Sequence, residues 1–191
     1  MEFKFFTDLI DALGKVVSGL KAIINLPRAE RDAIRRTLDE TYRLIDTTLN
    51  MVIIRLGDIL LQETIDDFLS ETARLDNYNE WMQAEREFRL CRSLRVVLRE
   101  AETLTGKLPA AMSMIDWEAL LKQMQRILTA ESELARFIGE QFQQLAGEAY
   151  SARQDSIKTK SVRDTLTAFR SALVAERQEL IRQELELFNI V

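Results

Sequence analysis

"LDETYRLIDTTLNMVIIRLGDI", residues 38–59, decides the fold class. Leu38, Tyr42, Ile45, Leu49, Val52, Leu56 and Ile59 recur in alternating steps of four and three. A half-buried strand alternates every second residue, so this period belongs to a helix whose apolar seam faces other helices, as in a four-helix bundle. Beyond residue 50 the apolar surface widens. "MVIIRLGDILL" is apolar almost all round, and this end is expected to be covered on more than one side. The helix starts near Pro27, whose fixed φ suits a first turn. After it, "QETIDDFLSETARL" repeats the period with Ile65, Phe68, Leu69 and Leu75. Bundle helices match in length, which favours a bend between 57 and 64.

The same period extends in both directions. Towards the N-terminus, Leu9, Ile10, Leu13, Val16, Val17, Leu20, Ile23 and Ile24 share one face of a helix over 6–24, with Asp8, Asp11, Lys15 and Ser18 opposite. Docking on the wide apolar end of the second helix is its expected place. Asp76–Asn79 reads as a turn, with Asn77 and Glu80 at capping-box spacing. A third helix then turns Trp81, Ala84, Phe88, Cys91, Leu94, Leu98 and Ala101 inward. "TGKLPAAMS" is a loop, and Ser113 with Asp116 matches the cap of a fourth helix. That helix carries Trp117, Leu120, Met124, Ile127, Leu134, Ile138 and Leu145 on one seam. "SARQDSIKTK", residues 151–160, is polar and reads as a connection, with Ser161 and Asp164 as the cap of a fifth helix. Leu166, Phe169, Leu173, Leu180 and Leu187 form its seam. The expectation is one all-α domain over residues 1–191: an up-and-down antiparallel four-helix bundle in 27–191, and an additional amphipathic helix in 1–26.

Composition agrees. Apolar residues make up 47% of 191, enough for a substantial core, and only six glycines and two prolines break the helices. The absence of histidine removes Ser–His–Asp and Cys–His catalysis, histidine-based zinc sites and the Glu-x-x-His repeats of di-iron bundles. The single cysteine, Cys91, excludes an intrachain disulfide and is expected to be a small core residue. "TGK" at 105–107 lacks the glycine run of a phosphate loop. No catalytic, metal or cofactor site is expected, and the protein is read as non-enzymatic. The net charge of −5 disfavours nucleic acid as a partner. Asp8, Asp11, Lys15 and Lys21 interrupt the N-terminal apolar stretch, so neither a targeting segment nor a membrane span is expected, and a cytoplasmic location is.

Three constellations remain. Arg86, Arg89, Arg92, Arg95 and Arg99 recur every third or fourth residue in "EREFRLCRSLRVVLRE". Eight charged groups in sixteen rule out a membrane-buried sensor helix. The stripe winds round the side away from Leu94 and Leu98, with Arg95 and Arg99 nearing the core boundary. It reads as a solvated face, or as a patch for an acidic protein or anionic lipid. Glu131 and Glu176 fall at seam positions and are candidates for a buried polar layer that sets helix register. The N-terminal helix, led by Phe3, Phe5 and Phe6 and carrying Leu9, Leu13 and Val17, is a candidate membrane or partner helix. An amphipathic helix added to a four-helix bundle is also the general layout of membrane-perturbing cell-death modules, an analogy of architecture without a shared motif. The expected function is therefore an interaction or assembly module with a protein partner or self-association. The alternative is a membrane-perturbing effector that releases its first helix onto anionic lipid.

Overall fold

The computed structural model describes residues 4–20, 27–75, 88–107, 113, 115–129, 143–153 and 155–189, and these form helices joined by turns with no strand among them. They are α1 (Lys4–Leu20), α2 (Arg28–Leu60), α3 (Ile65–Ala73), α4 (Phe88–Lys107), α5 (Trp117–Thr129) and α6 (Ser156–Phe188), together with a helical stretch over 143–152. The chain groups into two compact units. One holds Leu49–Arg89 and Glu131–Ala175, the other Glu2–Thr48, Leu90–Ala130 and Glu176–Val191. Both α2 and α6 contribute a stretch to each.

In the first unit, Leu49, Val52, Ile53, Leu56 and Ile59 of α2 are buried, as their period requires. Ile54 and Leu61 are exposed, so part of the apolar surface at this end of α2 stays open. The bend expected between 57 and 64 is a full break: α2 stops at Leu60 and α3 starts at Ile65. Thr64 makes the stop local. Its hydroxyl accepts from the Asp67 amide at 3.0 Å, and Asp66 and Asp67 place negative charge in the first turn of α3, where the helix dipole favours it. Arg163 of α6 completes the corner. Its guanidinium donates to the carbonyls of Leu60 (3.2 Å) and Gln62 (3.5 Å), which have no helical partner at the end of α2. It also stacks 4.3 Å from the centroid of the buried Phe68 ring.

Two boundaries differ from the sequence reading in this unit. Residues 151–160 are mostly helical, and the cap of α6 is Asp155, whose carboxylate accepts from the amides of Ile157 (2.9 Å) and Lys158 (3.2 Å). Ser161 and Asp164 lie inside the helix. A carboxylate that accepts from two free amides nearer the break takes the role.

In the second unit, the buried face of α2 is broader than the four-three seam. Ile34, Thr37, Leu38, Thr41, Tyr42, Ile45 and Thr48 are all buried. The threonines enter a core because their hydroxyls donate to carbonyls one turn back: Thr37 to Ala33 (3.2 Å), Thr41 to Thr37 (2.8 Å) and Thr48 to Leu44 (2.9 Å). Tyr42 is fully buried, and its hydroxyl donates to Gln183 Oε1 of α6 at 3.4 Å. Gln183 Nε2 in turn donates to Glu179 at 2.9 Å.

α1 buries Leu9, Ile10, Leu13, Val16, Val17 and Leu20, the face read from its sequence. Each such side chain contributes roughly 1.5–3 kcal/mol on burial. Within its unit the neighbours of this face are as follows. α1 packs on α5, in the unit that holds residues 2–48 of the chain. Two glycines of α1 permit close packing, Gly19 against the turn before α5 and Gly14 against α6. A Cβ on Gly19 would stand 3.0 Å from the Ile115 Cα, and one on Gly14 would stand 2.8 Å from Gln183 Nε2. α4 continues through Lys107, so the first three residues of the expected loop are helical. α5 begins at Trp117 rather than after Ser113. Asp116 turns the chain into it with φ 46°, a left-handed conformation that aspartate tolerates, and its carbonyl accepts from the Ala119 amide at 3.1 Å.

Candidate functional site

The sequence-predicted residues separate into three groups. Arg92, Arg95 and Arg99 are exposed on α4, so neither Arg95 nor Arg99 approaches the core as expected. Arg86 and the side chain of Arg89 lie outside the described residues, as does the side chain of Cys91. Leu9, Leu13 and Val17 are buried, while Phe3 and the side chains of Phe5 and Phe6 lie outside the described residues. Glu176 is half-buried and accepts from the Thr7 hydroxyl of α1 at 2.9 Å. Glu131 lies outside the described residues. Gln183, 5% exposed and one heptad beyond Glu176, is a buried polar side chain on the α6 seam.

One concave feature of the second unit is a groove of about 740 Å³. α2 supplies one wall with Arg36, Asp39, Glu40, Arg43 and Asp46, the polar face that recurs at helical spacing opposite its buried seam. α4 supplies Ser93, Val96, Val97 and Glu100, and α6 supplies Glu184 and Phe188. Five acids against two arginines make the lining acidic. Its apolar part is Val96, 54% exposed, and Phe188, 46% exposed.

Some of these charges are already matched. Arg177 grips Asp46 with both arms of its fork, at 2.6 and 3.3 Å. Arg43 donates to Glu40 at 3.1 Å. Arg35 lies 3.7 Å from Asp39 and stacks 4.7 Å from the Phe188 ring. Others are not. Asp39 Oδ1 is buried without a hydrogen-bond partner among the described residues, and burial raises the Asp39 pKa against the opposing pull of Arg35. Glu184 has no ion pair among the described residues, and its carboxyl is also pushed up, first by burial and then by the negative charges of Asp39 and Asp46. The groove wall therefore holds like charges that folding alone has not neutralised.

A pH dependence follows from Glu184. With its pKa raised above the ordinary carboxylate value, the folded chain holds a proton that the unfolded chain has released. Its contribution to stability thus falls as pH rises from the ordinary value through the raised one. Glu184→Gln is expected to raise stability at neutral pH by less than about 1 kcal/mol, given the solvent exposure of the site, and to lessen that decline. Melting temperatures across the acid range test it. Parallel pH profiles for the two proteins would remove Glu184 from this role.

Among the described residues no three His, Cys, Asp or Glu side chains form a group able to hold a metal ion, and no helix is long and apolar enough to cross a membrane. The groove was not read from the sequence. The charged face of α2 is periodic and legible, but its juxtaposition with α4 and α6 comes from packing. Comparisons of this chain with protein-family models, curated proteins and solved structures find no match.

Proposed function

We propose that this chain is a non-enzymatic helical interaction or assembly module of the cytoplasm, working through the groove lined by α2, α4 and α6. The observation that carries this reading is the groove's pattern: an apolar patch at Val96 and Phe188 bordered by acids, with Glu184 unpaired among the described residues. Apolar contact supplies affinity and excludes water, while the flanking acids select a cationic partner and speed encounter. That is the recognition chemistry of a helix laid in a groove. The arrangement proposed with it is an up-and-down antiparallel four-helix bundle built on α2, α4, α5 with the stretch 143–152, and α6, with α1 as the additional helix. The buried seams of α2 and α6 support it.

The test is binding of a labelled helical peptide of leucine and lysine, its apolar residues three and four apart, to the full chain. Saturable binding is expected, weakening as salt rises and lost in Glu184→Lys/Glu100→Lys, with a leucine–glutamate peptide of equal length failing to bind. No binding of the basic peptide at low salt overturns the reading. Release of dye from anionic vesicles by the full chain, with no peptide binding, would instead place the function in α1 and the membrane.

A further inference from the structure

Two arginines of α4, Arg92 and Arg99, stand beside the groove-lining residues Ser93 and Glu100. Arg92, Val96 and Arg99 stand at i, i+4 and i+7, so they form one ridge along the helix. All three are exposed, and neither Arg92 nor Arg99 has an ion pair among the described residues. The ridge is thus an apolar residue with a cation one turn to either side. The groove beside it is an apolar patch with acids around it, and Glu100 and Glu184 have no ion pair there among the described residues. Ridge and groove are complementary in order as well as in sign.

We infer that a second copy of this chain occupies the groove, the Arg92–Val96–Arg99 ridge of each copy lying in the acidic groove of the other. This rests on the interaction-module reading and names its partner. One chain cannot satisfy the pattern internally, because α4 forms part of the groove it would have to enter. A two-fold dimer can, since the same patch then meets itself and every contact occurs twice. Val96 belongs to both ridge and groove, so it lies at the two-fold axis against its counterpart. Arg92 and Arg99 then reach the partner copy's acids that lack an ion pair among the described residues, Glu184 of α6 and Glu100 of α4. The half-exposed Phe188 is covered by the incoming helix.

The symmetry supplies the experiment. In Arg92→Glu/Arg99→Glu the ridge becomes acidic while the groove stays acidic. In Glu100→Lys/Glu184→Lys the groove becomes basic while the ridge stays basic. Each variant alone repels itself at both contacts, and the two mixed attract at both. The full chain is expected to sediment as a dimer at low salt and to dissociate as salt rises. Each variant is expected to be monomeric, with circular dichroism like that of the wild type, and an equimolar mixture to form a heterodimer. Two results overturn the second copy as occupant: a monomeric wild type at low salt, or dimers that persist in both variants. A monomeric wild type that still binds the leucine–lysine peptide leaves the groove as a site for another partner. One that binds neither overturns the groove reading too.

Discussion

Trp117→Ala is expected to be among the most destabilising single substitutions in this chain, by about 3–5 kcal/mol. Trp117 opens α5, is 1% exposed, and donates through Nε1 to the Ala101 carbonyl of α4 at 3.2 Å. The ring is buried where the start of α5 meets α4. Removing it leaves a void that packed helices cannot fully close. The hydrogen bond is the lesser part, because the Ala101 carbonyl also accepts from Thr105 Oγ1 at 3.0 Å. Trp117→Phe keeps an aromatic ring, loses the donor, and should cost only about 1–2 kcal/mol. Urea unfolding followed by helical circular dichroism distinguishes the two. Equal midpoints for Trp117→Ala and the wild type would contradict its place in the core.

Leu13→Ala carries the second large effect, about 2–5 kcal/mol. Leu13 is 0% exposed at the centre of the buried face of α1, beside Ile10, Val16 and Val17. The substitution measures how firmly α1 belongs to its unit. If α1 is an integral helix, the whole transition moves to lower urea. Lys15→Ala, on the exposed side of the same helix, should change stability by no more than about 0.5 kcal/mol. A separate early transition that absorbs the entire Leu13→Ala effect would mark α1 as a detachable element. That result would favour the membrane-acting alternative over the assembly module.

The difference between these two positions and the groove explains what could be read in advance. The burial of Leu9, Leu13 and Val17, of Leu38, Tyr42 and Ile45, and of Leu166, Phe169 and Leu173 follows from helical period alone, because each seam needs only its own segment. A bend between 57 and 64 was legible from helix length, but that the helix ends at Leu60 was not. The capping residues were less legible. Ser161 and Asp155 are both reasonable caps by type, and only the path of the chain into α6 selects Asp155. Gln183 sits in register with Leu180 and Leu187, where an apolar residue is expected. It is stable there because Tyr42 offers a hydroxyl from another helix and Gly14 leaves room beside it.

By itself the sequence determined an all-helical chain, the core-facing side of each helix, the unusual arginine spacing of α4, and the absence of any histidine-based chemistry. These depend on residue type and on a period of 3.6, both local properties. Tertiary structure alone decided that α1 lies on α5, that Arg163 closes the end of α2, and that Asp39, Glu184 and Val96 share one groove. Those facts join residues up to 145 positions apart, and period is silent on which helices become neighbours. The site is made by that choice of neighbours: it brings carboxylates of α2, α4 and α6 to one groove and leaves Glu100 and Glu184 without an ion pair among the described residues.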